Sequence, residues 1–135
     1  MNSERGALKK AIDTKHKQKM DILKEKMDEL ACSIYKETKN FPKDEIYGIT
    51  SQIRRSALSI VLNYIEGYAR TGSKEYKNFL QISYGSLKET SYLLFFSTRE
   101  GYISKESYEK LAKISDEIGA MLWTTIQKIK DRIEK

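Results

Sequence analysis

IYGITSQIRRSALSIVLNYIEGYAR, residues 46–70, is the stretch whose spacing decides the fold. Its apolar residues Ile46, Ile49, Ile53, Ala57, Ile60, Tyr64 and Tyr68 recur three or four apart, the period of one helix face. A second row, Leu58, Leu62 and Ile65, widens that face. Gly48 lies near the start, which makes Thr50 and Ser51 the expected N-caps. Gly72 lies just past the end, where a left-handed residue closes a helix. The stretch therefore predicts a helix over about 44–70, with its proper start at Thr50 or Ser51.

The same period recurs on both sides. Upstream, Met20, Leu23, Met27, Leu30 and Ile34 mark a helix over about 7–39, which Asn40-Phe41-Pro42 ends because proline cannot continue it. Downstream, Tyr76, Leu80, Tyr84, Leu87 and Leu94, beside Phe79, Ile82, Thr90 and Leu93, predict a helix over about 73–99. Ser73 is its expected cap and Gly101 closes it. Leu111, Ile114, Ile118, Met121, Leu122, Ile126, Ile129 and Ile133 predict a last helix over about 104–134, capped by Ser104. No segment alternates with period two for long enough to be a strand. Short connections make consecutive helices antiparallel neighbours. The fold class expected is all-α, an antiparallel up-down-up-down four-helix bundle over 18–135, with residues 1–17 a basic extension of its first helix.

Composition agrees with one folded domain. The 135 residues are 39% hydrophobic and 33% charged, with one proline. No apolar run approaches the roughly 18 residues of a membrane span. The opening MNSERGALKKAIDTKHKQK is charged where a secretory signal needs an apolar core, so a cytoplasmic setting is expected. The net charge of +6 favours anionic partners such as nucleic acid, although 19 acidic residues are interspersed with the 25 basic ones.

Catalytic chemistry has little to stand on. His16 is the single histidine and lies in the charged N-terminal segment, with no nucleophile near it in sequence. Cys32, the single cysteine, lies one position off a core row and is expected to be a buried structural thiol. No Cys/His cluster has metal-ligand spacing, no Glu-x-x-His pair suggests a di-iron site, and no phosphate-binding loop is present. A non-enzyme without cofactor or metal is expected.

Two features invite a functional reading. Arg54, Arg55, Asn63 and Glu66 place polar groups along one apolar helix, with Arg55 and Glu66 on one face about 16 Å apart. That is too far for the two to pair with each other, which leaves partners on another helix or subunit, or plain surface charge, as the readings. Tyr64, Tyr68, Tyr76, Tyr84 and Tyr92 recur at multiples of four, a pattern of core packing with hydroxyls at the rim, or of an interface.

In order along the chain stand FPKDEIYGITSQIRRSALSI (41–60), Asn63, EGYAR (66–70), SKEYKNFLQISYGSLKET (73–90), GYIS (101–104) and EIGAMLWTTIQKIK (117–130). This set, with Q-x-R-R-x-A, N-x-x-E-G and G-S-L-x-E in sequence, resembles the four-helix-bundle proteins encoded in the intervening sequences of bacterial 23S rRNA genes. That family is related to the accessory variability determinants of diversity-generating retroelements. Val61 stands where the family usually has proline, and Leu62 and Ile65 stand where it has small residues. The resemblance implies a homopentamer with no enzymatic activity, which binds RNA or other nucleic acid or partners a reverse transcriptase. Its motif residues fall here on Gln52, Arg54, Arg55, Asn63, Glu66, Gly67, Gly85, Ser86 and Glu89. Glycine in mid-helix costs about 1 kcal/mol against alanine, so Gly85 is expected to serve a close approach of helices or subunits. The residues expected to contact phosphate are Arg54, Arg55, Arg70, Lys74, Lys77, Lys9, Lys10, Lys15 and Lys17. Gln52, Asn63, Glu66, Gly67, Gly85, Ser86 and Glu89 are expected to form an oligomer interface or a structural polar patch.

Overall fold

A computed structural model describes residues 2–134, with side chains except those of Asn2, Ile12, Asp13, His16, Lys17, Lys19, Met20, Ile133 and Glu134. Lys17 of the expected phosphate contacts, His16, and Met20 and Ile133 of the apolar rows therefore lie outside the described residues. The protein is all-α. Helices α1 (Asn2–Thr38), α2 (Ile49–Ala69), α3 (Glu75–Arg99) and α4 (Lys105–Glu134) are joined by short connections, with one 3₁₀ turn at Lys43–Glu45. No strand occurs among the described residues, and none of their helices is long and apolar enough to cross a membrane.

Each helix packs on the next, and α1 also packs on α4; α2 and α3 share the most extensive contact. The pairings run antiparallel. Ser59 lies level with Ser86, Ser56 with Thr90 and Arg55 with Glu89 across α2 and α3. Ser91 meets Ser115 while Tyr84 meets Trp123 across α3 and α4. The core between them is built from Leu23, Met27, Leu30, Ile34, Ile53, Ile60, Leu80, Leu87, Leu94, Ile118 and Leu122, all fully buried.

The helix ends depart from expectation in physical detail. α2 begins at Ile49, next to the start expected at Thr50 or Ser51 and well past residue 44, because the chain first makes the 3₁₀ turn. Its cap is the Glu45 carboxylate, which accepts the Ile49 N–H at 3.1 Å; Thr50 and Ser51 lie inside the helix. Ser73 does not cap α3 but donates backward to the Arg70 carbonyl at 2.7 Å. Ser104 caps α4 as expected, accepting the Ser107 N–H at 3.1 Å. Gly72 and Gly101 take positive φ at the two turns, where a side chain would be strained. α1 starts at Asn2, earlier than the periodicity indicated. Cys32 is exposed, not buried, since the helix turns Ala31 inward in its place.

Two polar ties fix α1 against its neighbours. Arg54 of α2 donates to Thr38 Oγ1 at 2.7 Å and to the Tyr35 carbonyl at 3.4 Å, with its guanidinium 4.8 Å above the Tyr35 ring. It thus places a cation on the negative end of α1. Arg54→Ala should lower stability by about 1–2 kcal/mol in urea unfolding, and Arg54→Lys should recover little, because an ammonium cannot reproduce the forked donors. The second tie joins Lys26 of α1 to Glu117 of α4. The hydrogen-bonded Lys26 ammonium holds the Glu117 carboxyl below its ordinary value of 4.5, and the carboxylate in turn raises Lys26. A depressed carboxyl contributes stability at pH above its unfolded value and loses it as pH falls through the folded one. The melting-temperature gap between wild type and Glu117→Gln should therefore be full near neutrality and close below about pH 4.5.

Candidate nucleic-acid and assembly surfaces

Two surfaces stand out, one charged and one apolar. The charged one lies at the end of the molecule where α1 begins, α2 turns into α3 and α4 finishes. All described side chains from Ser3 to Ile22 are exposed, and Leu23 is the first buried residue of α1. At 1.5 Å per residue, α1 thus runs roughly 30 Å beyond its core contacts. Two neighbourhoods mark where the helices meet at this end. The Tyr64 hydroxyl, raised mainly by burial, also feels Asp21 of α1; the Tyr76 hydroxyl, likewise raised by burial, feels Arg132 of α4.

Residues 1–22, 66–77 and 128–135 hold 13 basic and 7 acidic side chains, a surplus of six. The rest of the chain holds 12 of each, so these three segments carry the whole net charge of +6. Lys9, Lys10 and Lys15 lie exposed along the first segment, and Arg70 and Lys74 lie exposed at the α2–α3 turn, with Lys77 half-buried. Arg70 is held at 2.9 Å by Glu66, four residues before it, and stacks 5.3 Å from the Phe79 ring. Arg54 and Arg55 are not brought to this end. Arg54 is committed to the end of α1, and Arg55 pairs across to Glu89 at 2.8 Å.

The apolar surface is the outer side of α2 and α3. Leu58, Leu62 and Ile65, the row expected to widen the core face, point outward instead, with Leu62 60% exposed. They lie about 130° around α2 from the Ala57, Ile60 and Tyr64 row that packs inward. On α3, Ile82, half exposed, shares the outward face with Gly85 and Glu89 at spacings of three and four. Between the helices runs a polar seam. Asn63 Nδ2 donates to the Ser59 carbonyl at 2.8 Å and to Ser59 Oγ at 3.0 Å, Ser59 and Ser86 hydroxyls meet at 2.7 Å, and Thr90 donates to Ser56 at 2.8 Å. Arg55–Glu89 borders this face on one side and Glu66–Arg70 on the other. Arg55 thus finds its partner on another helix, whereas Glu66 pairs locally, with Arg70 at the end of α2. Gln52 is exposed near the start of α2.

The two motif glycines differ in kind. Gly67 lies where α2 crosses α3; a Cβ there would come 3.1 Å from Phe79 Cβ and 3.4 Å from the Tyr76 carbonyl. Gly85 is exposed, and a Cβ on it would meet nothing within 4 Å. Nothing within the subunit requires Gly85 to be small. The tyrosines divide similarly: Tyr64 and Tyr76 are buried, whereas Tyr47, Tyr68 and Tyr92 face outward.

Comparison with known proteins gives these surfaces a setting. The family model described as 23S rRNA-intervening sequence protein matches residues 18–124. The Lys-rich residues 1–17 fall outside the match. A crystal structure of a protein with unknown function, from the S23 ribosomal protein family of Bacteroides thetaiotaomicron, is similar with a TM-score of 0.69 and 32% identity. The similarity covers 77% of this chain and 97% of that one. No curated protein matches the chain.

Proposed function

The chain belongs to the 23S rRNA-intervening sequence protein family, and from that premise we propose that it is a non-catalytic, homo-oligomeric nucleic-acid-binding protein. Its subunit is an antiparallel up-down-up-down four-helix bundle, and the assembly is a pentamer, as the family resemblance implies. The outer face of α2 and α3, apolar at Leu58, Leu62, Ile65 and Ile82 and bordered by ion pairs, is the subunit interface. An apolar centre inside a polar rim is the usual anatomy of such a contact.

The observation that carries the reading is the basic surplus of residues 1–22, 66–77 and 128–135, segments whose described parts meet at one end of the subunit beside the apolar face. Ring assembly through α2 and α3 repeats that basic end once per subunit. Lys9, Lys10, Lys15, Arg70, Lys74 and Lys77 then meet phosphates without reading bases. Lys17 extends the same segment in sequence. Binding of equal-length RNA and DNA fragments of different sequence should fall within about tenfold, since backbone contacts carry little sequence information. A preference of a hundredfold or more for one sequence would contradict it.

A second reading, an accessory subunit for a reverse transcriptase, draws on the opposite, charge-balanced end. There Tyr47 is 96% exposed beside exposed Ile46, in the connection before α2. Capture of the polymerase that survives nuclease treatment would favour that reading.

A further inference from the structure

Trp123, the only tryptophan, stays 51% exposed although the core is filled by leucine and isoleucine. It closes one end of a groove of about 330 Å³ between α3 and α4. Tyr84 and Lys88 line the α3 side; Asp116, Gly119 and Ala120 line the α4 side along with Trp123. The spacings of four on α3 and of three and four on α4 put each set on one helix face. The floor is buried Leu87 and the pair of hydroxyls Ser91 and Ser115, which bond each other at 2.6 Å. The recess exists because the two residues between Asp116 and Trp123 on this face are small. A Cβ at Gly119 would already stand 3.3 Å from Leu87 Cδ2.

The groove offers three chemistries side by side. Tyr84 and Trp123 stand 5.8 Å apart at 43°, a rigid aromatic wall. The Lys88 ammonium is stacked 5.1 Å over the Tyr84 ring, which fixes a positive charge at the rim. Asp116 supplies an exposed carboxylate. An aromatic wall takes the π-face of any base, and an ammonium takes a phosphate. A carboxylate repels phosphate but accepts N–H donors from a base edge. Of the four bases, guanine alone presents two adjacent donors, N1–H and N2–H, to the two oxygens of a carboxylate.

We propose that this groove is a stacking site for one unpaired base of a single-stranded nucleic acid, with guanine favoured. Trp123 and Tyr84 stack on it, Asp116 accepts from its edge and Lys88 contacts the neighbouring phosphate. The proposal rests on the nucleic-acid reading above and adds to it a strand type and a preferred base, modest beside the phosphate contribution.

The test uses the full-length protein and two fluorescein-labelled DNA octamers, all thymine and thymine with one central guanine. Fluorescence anisotropy reports binding of either, and Trp123, as the only tryptophan, reports occupancy of the groove by quenching. The guanine octamer should bind about fivefold to tenfold tighter and quench Trp123. Trp123→Ala should weaken both octamers at least about fivefold and leave duplex RNA binding unchanged. Asp116→Asn should erase the guanine preference while keeping the quenching. Octamers that bind by anisotropy without quenching Trp123 would overturn the groove proposal and leave the nucleic-acid reading standing. No binding of any nucleic acid at low salt would overturn both. A fall in oligomer mass in Trp123→Ala would assign the groove to a subunit contact and overturn it as well.

Discussion

Gly85→Leu should leave a monomer that is more stable than the subunit it came from. Within the subunit the position is exposed, and an added Cβ meets nothing within 4 Å. Replacing a mid-helix glycine by a strong helix former should therefore raise subunit stability by about 1 kcal/mol. On the outward face, however, Gly85 lies between Ile82 and Glu89, opposite the row of Leu58, Leu62 and Ile65. If a second copy packs there, a leucine side chain holds it off, and overpacking of this kind costs about 1–3 kcal/mol at each contact. Light scattering should give the mass of one chain. Leu62→Glu, a charge on the same face at an exposed position, should also give a monomer but without the gain in urea-derived stability. A Gly85→Leu protein of unchanged mass would remove this face from the interface.

Neutralising the basic end should have the largest effect on binding. Lys9, Lys10 and Lys15 together changed to glutamine remove three charges from the exposed run of α1 and touch no buried contact. Glutamine keeps helix propensity close to that of lysine, so the helix should persist by circular dichroism. Each phosphate contact contributes about one unit to the slope of log affinity against log salt. The triple variant should therefore bind about tenfold to a hundredfold more weakly per engaged chain near 0.1 M salt, and its slope should flatten by about three. Arg55→Gln, which breaks an ion pair on the other surface, should leave that slope unchanged. Equal losses in the two variants would mean that charge acts without regard to place.

How far these surfaces were legible in the sequence differs from helix to helix. Periodicity located all four α-helices, because the inward rows such as Leu23, Met27, Leu30 and Ile34 are also the buried ones. It could not separate α2's two apolar rows, since spacing is the same whether a row meets the subunit's own core or faces outward. Only the placement of α1 and α3 around α2 shows that Leu58, Leu62 and Ile65 are left outside. The capping group of α2 is hidden for a local reason: it is Glu45, four residues upstream and across a 3₁₀ turn, while Thr50 and Ser51 carry the usual cap chemistry. Arg54 falls among the expected phosphate contacts because its charge is visible in sequence and its partner on α1 is not. The basic end was equally hidden. Its three segments are distant along the chain and each has only a small surplus; antiparallel packing adds them together. The groove at Trp123 depends on the register of α3 against α4, which spacing within either helix does not contain.

Nucleic acid is held, in this reading, by the charge at one end of an assembled protein. The deciding experiment titrates the purified wild-type protein into labelled RNA across a salt series, with mass measured by light scattering in the same samples. An oligomer that binds with sub-micromolar affinity at low salt and weakens steeply as salt rises, with a log–log slope of about −3 or steeper, is the expected result. A monomer, or an affinity that is absent at low salt or indifferent to salt, would contradict it.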